Sequence, residues 1–282
     1  MKIFIAVDME GITGVVHGDQ LMAEGRGYAA AQRLLMGDVY AALEGIRRVY
    51  PDAIVRLGDG HATMRNIIID DIPANVEVVV GPARPENKPL CQLEGLDASF
   101  NMMMQLGYHS KAGTPGGLLA HTYIGSLVSS WKLNGREVGE ITMNTALATG
   151  FGVPMCFVSG NSDLAAEAAA LPNTPEFVAT KSVLGPTAAI CMPPSKTRAL
   201  IADGVERALC RTWERPAVSD AHTTLEVTTH RREQAARGAR VAGVELVGDN
   251  VLRVQAATVQ EAYRRMWQAC TVALEEQPVW LQ

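Results

Sequence analysis

Residues Ile3 to Val7 form an apolar run with no polar alternation. A strand without a polar face has nothing to show to water, so it must be covered on both sides. That requirement selects a layered α/β architecture over an antiparallel sheet with one wet face. The chain continues in the same manner. Gly11 and Gly14 punctuate a loop, after which Leu35, Val39, Ala42, Ile46 and Val49 recur at steps of four and three. That spacing puts them on one stripe and predicts a helix from about Tyr28 to Tyr50. Pro51-Asp52 ends it, and Ala53–Leu57 reads as a second strand leading into Gly58-Asp59-Gly60-His61.

Further apolar runs at Val76–Val80, Met102–Leu106 and Pro154–Val158 alternate with helical or glycine-rich segments. The predicted class is α/β, a mainly parallel sheet with flanking helices. Asn134-Gly135 between Val128–Leu133 and Arg136–Val138 is a two-residue hairpin signal. Glu140–Thr149 reads as a helix, and so does Lys196–Arg211, with Ser195 as its N-cap. The character changes around Glu214-Arg215-Pro216. Thr223–Thr229 alternates like a half-exposed strand, and Val251–Val254 is another. A capping box, Thr258 with Glu261, opens a last helix striped by Val259, Tyr263, Met266, Cys270 and Ala273. The expected division is an α/β domain over 1–215, carrying the chemistry, and a smaller α+β domain over 216–282, available for assembly.

Composition narrows the partners. With 48% apolar and 20% charged residues, the 282-residue chain has the make-up of an ordinary globular protein with a sizeable core. A formal net charge of −5 argues against nucleic acid or an anionic membrane surface. Asp8 interrupts the first apolar run too early for a secretory signal, and no later run reaches the ~18–20 residues of a membrane helix. The five cysteines are scattered with no CxxC pair, so neither a disulfide framework nor a thiolate zinc site is expected. Cys156 and Cys270 read as small core residues. The cytoplasm is the expected compartment.

The chemistry gathers at strand ends. Asp8-Met9-Glu10 follows the first strand, where open α/β sheets collect ligands. In extended geometry, side chains two apart point the same way, so two carboxylates would face one spot. Unpaired they repel, unless one protonates or a cation sits between them. Asp59-Gly60-His61 repeats this after the second strand, and Gly107-Tyr108-His109 after Met102–Leu106. Imidazole with carboxylate is the ligand set of hydrolytic zinc, and also of Mn2+ or Co2+. Five such groups point to two ions rather than one. The loop Ser110–Gly117 is too glycine-rich for regular structure and lacks the Walker pattern, so it reads as a wall carrying His121 back toward the sheet. No GxSxG elbow or GxGxxG fingerprint is present. At the helix start, Glu137 and Glu140 are equal candidates for a further carboxylate.

VDMEG at 7–11, DGH at 59–61, GYHSKAGTPGG at 107–117, AHT at 120–122 and NGREVGE at 134–140 together resemble the M55 family of D-aminopeptidases. The likeness extends to VPMCFVSG at 153–160 and to Lys181. The resemblance implies a dizinc site on Asp8, Glu10, His61, His109 and Glu140, with His121 as the catalytic histidine. It decides for Glu140 over Glu137. Asn144, one turn on, becomes a candidate for substrate contact. The implied activity is removal of N-terminal residues, of D configuration in the family, from short peptides. The implied assembly is a homo-oligomer, a decameric ring in the family. Two departures stand out. The loop before His121 is one residue longer, with a doubled glycine at 116–117. Asn161-Ser162-Asp163 follows VSG, where an acidic residue is expected first.

In such a site the metal supplies an activated water and polarises the scissile carbonyl. His121 would stabilise the oxyanion or protonate the leaving amine. Two other readings stand beside this one. The same centre would serve another small amide or a lactam, and a non-catalytic metal- or peptide-binding protein would bind without turnover. His17 reads as exposed, His222 and His230 have no acidic partner at ligand spacing, and Arg231, Arg232, Arg237 and Arg240 read as a solvated helix face.

Overall fold

The computed structural model describes residues 1–218 and 222–274. In chain order its elements are β1 (Lys2–Val7), α1 (Tyr28–Val49), β2 (Ile54–Asp59), β3 (Val76–Val79), β4 (Met102–Tyr108), β5 (Val128–Leu133), β6 (Arg136–Glu137), α2 (Glu140–Gly150), β7 (Met155–Asn161), α3 (Ala165–Ala169), β8 (Glu176–Gly185), β9 (Ala188–Cys191), α4 (Pro194–Leu209), β10 (Thr223–Thr229), α5 (Arg232–Gly238), β11 (Glu245–Val247), β12 (Val251–Ala256) and α6 (Val259–Ala273).

Seven strands form the main sheet in the order β3-β2-β1-β4-β7-β8-β9. All neighbours run parallel except β8 and β9, an antiparallel hairpin at one edge. The unbroken run in β1 is explained by what lies on its two faces. Ile3, Ile5 and Val7 enter one core, shared with Leu35, Val39 and Ile46 of α1 and Ile201 and Val205 of α4. Phe4 and Ala6 point the other way, into a second core with Trp131, Met143, Tyr263 and Met266. Successive side chains alternate across a strand, so a central strand between two cores must be apolar throughout.

That second core is roofed by a five-stranded antiparallel sheet in the order β11-β12-β10-β5-β6. Its strands come from both sides of residue 216. The hairpin β5-β6 lies between β4 and α2 in the chain, yet β5 pairs with β10, Val227 opposite Trp131. The segment expected as a separate α+β unit thus shares its sheet with the 128–137 hairpin, and its last eight residues lie outside the described ones.

Two helix starts differ from expectation. Pro193 occupies the N-cap of α4 and Pro194 its first position, so Ser195 is already inside the helix. Proline at the first helical position loses no hydrogen bond, which favours this earlier start. At α6 the Thr258 side chain accepts from the Glu261 amide as expected, but the Glu261 carboxylate is engaged by Arg265. Among the described residues no helix is long and apolar enough to cross a membrane.

Candidate metal centre

The centre lies beyond the C-terminal ends of β1, β2 and β4. After β1 the chain is still tied to β4, Asp8 N donating to Leu106 O (2.8 Å) and Gly11 N to Gly107 O (2.7 Å). Gly11 lies so close to the Tyr108 carbonyl that no Cβ fits there. This approach brings Asp8 and Glu10, both buried, over the end of β4, where His109 begins the next loop.

Past β2, the Asp59 carboxylate accepts from the amides of Asn66 and Ile67 and from the Asn66 side chain. It shapes the loop, and His61 is the group this strand end contributes. His61 Nδ1 lies 3.0 Å from Glu10 Oε2 and 3.5 Å from Asp8 Oδ1. His109 Nε2 lies 3.3 Å from both Asp8 Oδ2 and Glu140 Oε1. Glu140 is the first residue of α2, buried, and held by the Tyr123 amide (2.7 Å) and the Gln92 side chain (2.5 Å). Glu137 is exposed and pairs with Lys111. The geometry therefore separates two carboxylates that residue type and position at the helix start leave as equal candidates.

His121 joins the cluster from the glycine-rich loop. Its ring stacks on His109, centroids 4.2 Å apart and 7° from parallel. Its Nε2 is 3.9 Å from Glu10 Oε1 and 4.0 Å from Glu140 Oε1, and at 26% exposure it is the open side of an otherwise buried group. Leu119 and Tyr123, two residues before and after it, both have positive φ (55° and 56°). Non-glycine residues persist there only where the surroundings over-determine them. Leu119 N donates to Pro186 O (3.0 Å), and the Tyr123 ring packs among Trp131, Tyr263 and Trp267. Asp163 Oδ2 accepts from Ser110 Oγ and Leu118 N, closing the loop at both ends despite the extra glycine. Asn161, where an acid was expected, is buried and donates to Leu118 O.

The imidazoles show what the cluster is suited to hold. Each has one ring nitrogen on a backbone carbonyl: His61 Nε2 on Leu21 O (2.9 Å), His109 Nδ1 on Ser110 O (3.0 Å) and His121 Nδ1 on Leu119 O (2.9 Å). A carbonyl only accepts, which assigns the hydrogen to that nitrogen and leaves a lone pair on the other. All three lone pairs face carboxylate oxygens, which also only accept. Asp8 Oδ2, Glu10 Oε2 and His109 Nε2 are accordingly buried without a hydrogen-bond partner. Something positive belongs between them, a proton or a metal ion.

The electrostatics agree. Burial alone would raise the Glu10 carboxyl, yet His61, His121 and His109 hold it well below the usual range. Burial would likewise raise Glu140, and His109 lowers it. Burial works against protonation of His61 and His109, but the carboxylates beside them push both well above the ordinary histidine value. Ligands of one tetrahedral zinc, each bound at ~2.1 Å, lie about 3.4 Å apart. The separations of 3.0–3.5 Å among Asp8, Glu10, His61, His109 and Glu140 suit such an ion. Two overlapping triads, Asp8–Glu10–His109 and His109–His121–Glu140, are looser, their donor atoms within 4.8 Å of one another. His121 sits at the looser end of this range.

Asn144 takes a different position from the one expected of a substrate contact. It is buried, its amide nitrogen donating to Gln92, Gln105 and Tyr108 while its oxygen accepts from Tyr123. Both ends are spent on groups that stand behind Glu140. Gln92 and Tyr123 are supporting residues that carry no signal in the sequence. A groove of about 730 Å³ along Thr142, Ala146 and Thr149 of α2 is lined by none of the six cluster residues, so its size does not make it the site. His17, His222 and His230 are exposed and outside the cluster, and Arg237 donates to Ala273 O at the end of α6.

The family described as Peptidase_M55, D-aminopeptidase, matches residues 1–268. A curated D-aminopeptidase of Bacillus subtilis (strain 168) is 28% identical over 270 residues, 94% of this chain and 95% of that protein. The solved structure described as Zn-dependent D-aminopeptidase DppA from Bacillus subtilis, a self-compartmentalizing protease, superposes with a TM-score of 0.90 at 26% identity, covering 99% of this chain and 100% of that one.

Proposed function

Since the chain belongs to the Peptidase_M55 D-aminopeptidase family, we infer that it is a zinc-dependent aminopeptidase acting on short peptides with an N-terminal D residue, through a centre built on Asp8, Glu10, His61, His109 and Glu140. The observation that carries this reading is the convergence of three lone pairs and three carboxylates on one buried spot. Five donor residues are more than one tetrahedral ion takes, which favours two ions, and Mn2+ or Co2+ would suit the same donors. The zinc-dependent relative supports zinc.

Bound there, zinc supplies an activated water and Lewis-acid polarisation of the scissile carbonyl. The protein's own groups do the rest. The carbonyls of Leu21 and Ser110 fix the tautomers of His61 and His109 and keep their lone pairs on the centre. His121, with Nδ1–H held on Leu119 O, has only Nε2 free to give or take a proton. Because this nitrogen carries a lone pair and lies on the open side of the centre, we assign it the role of taking the proton that the attacking water gives up and handing it to the departing amine. Stacking on His109 keeps water from one face of the ring.

A self-compartmentalizing relative favours a closed homo-oligomer, with a decamer as the specific expectation. Five free cysteines accord with a reducing, cytoplasmic setting. Metal analysis of the purified protein, combined with turnover of paired D- and L-aminoacyl amides and of other small amides, tests the function. A metal-free active enzyme, or preference for a non-aminoacyl amide, would overturn it.

A further inference from the structure

Lys181 of β8 is buried, 1% exposed, and plays no part in the chemistry described above. Its ammonium donates to Glu10 O (3.0 Å) and Ile12 O (2.6 Å). The neighbouring Thr180 hydroxyl reaches Gly11 O (2.6 Å) and Gly160 O (3.1 Å). Three consecutive carbonyls of the turn after β1 are thus held by two consecutive residues of a strand three places away in the sheet. The turn gets there by crossing the ends of β4 and β7, where Gly11 and Gly160 both press on the Tyr108 carbonyl. At its far end, Thr13 donates through N and Oγ1 to the buried carboxylate of Asp38 (2.9 Å each).

The choice of a lysine needs a reason. Among the described residues it makes no ion pair within 4.0 Å, and its hydrogen bonds go to neutral carbonyls. A buried cation of this kind is costly, and an apolar side chain of the same length would fill the space at lower cost. What only the ammonium does is draw the carbonyls of residues 10 and 12 to one point. Those carbonyls set the backbone that launches the Glu10 side chain, two residues from Asp8. The two carboxylates meet His61 at 3.0 and 3.5 Å. The amides of Asp8 and Gly11 tie the turn to β4, while the carbonyls of residues 10 and 12 are held from the other side by Lys181.

We propose that Lys181 is a positioning residue of the metal centre, which holds the Glu10 and Ile12 carbonyls so that Asp8 and Glu10 stand at ion-binding separation. The proposal rests on the metal-centre reading given above. Its test uses the full-length protein, with Lys181→Met and, as a milder variant, Lys181→Gln, which keeps one donor. Zinc affinity is measured by chelator competition, and the Co2+-loaded forms are compared by their visible d–d absorption bands. Both variants should keep the wild-type far-UV circular dichroism. Lys181→Met should bind zinc roughly 10–100-fold more weakly, the range seen when a group supporting a metal ligand is lost, and should show a shifted Co2+ spectrum. Lys181→Gln should fall between it and wild type. Wild-type affinity and spectrum in a folded Lys181→Met, or in Lys181→Gln if only that one folds, would overturn the proposal. If neither variant folds, the lysine is a folding residue and the proposal falls. Should the wild type itself bind no metal, the metal-centre reading fails, which is a different result.

Discussion

The imidazole rings of His109 and His121 lie 4.2 Å apart and 7° from parallel, with their Nε2 atoms turned to the same Glu140 oxygen. The two differ in exposure: His109 is enclosed, while His121 forms the open wall. Removing one should not equal removing the other. His121→Ala is expected to retain bound metal and lose at least about 100-fold in kcat, the usual contribution of a positioned proton donor. His109→Ala should lose the metal as well. Metal content by atomic emission beside steady-state kinetics separates these outcomes, and an active His121→Ala would remove that residue from the mechanism.

Glu137 and Glu140 give a sharper comparison, since residue type and position at the helix start do not tell them apart without the family resemblance. Glu140→Gln should weaken zinc binding by more than the ~10–100-fold typical of losing a supporting partner, because a ligand oxygen is lost. Glu137→Gln breaks an exposed pair with Lys111 and should change stability by no more than about 1 kcal/mol, with metal affinity intact. Isothermal titration of both variants with zinc checks this.

Burial pushes the Asp38 carboxyl up to about 6 from 3.8, against two hydrogen bonds from Thr13. The folded chain therefore holds this proton more tightly than the unfolded chain does. Asp38 favours folding most below pH 3.8, and that contribution is lost as pH rises toward about 6. The difference is worth about 3 kcal/mol, at about 1.36 kcal/mol per pH unit. In urea unfolding at about pH 4 and about pH 7.5, Asp38→Asn should gain roughly 2–3 kcal/mol on the wild type between the two. Parallel pH profiles would show that Asp38 does not titrate in this range.

A methyl group at position 11 would collide with the Tyr108 carbonyl, backbone against backbone, with no flexible side chain to yield. Gly11→Ala should cost about 1–3 kcal/mol in stability and move Glu10 away from His61. A thermal-shift assay with and without added zinc would show both effects, as a lower melting point and a smaller metal-induced rise.

The parts of this fold legible in the sequence are those set by local pattern. β1 follows from an apolar run, α1 from its stripe, and the 134–135 turn from Asn-Gly. Four candidate ligands at three strand ends, Asp8, Glu10, His61 and His109, follow from charge placed after such runs. The rest depends on contacts between distant segments. Nothing near Tyr123 shows that its amide will hold Glu140, and nothing near Gln92 shows that it will meet the same carboxylate. Asn144 shares a helical face with Glu140 as its spacing implies, yet spacing does not reveal that Gln92, Gln105, Tyr108 and Tyr123 occupy its hydrogen bonds. The hairpin β8-β9 lies at a sheet edge, where exposed Leu184 and Ile190 blur the alternation that would mark it.

The shared second sheet also imposes an order in time. A ribosome delivers all six residues of the centre before it delivers β10 or α6. Until those appear, β5 has no partner beyond its own hairpin, and the ring of Tyr123 lacks Tyr263 and Trp267 to rest on. A nascent chain stopped at residue 215 therefore carries every ligand without the packing that aims Glu140, and it should fail to retain zinc. Aiming of the centre thus waits on β10 and α6, well after the centre's own residues have been made.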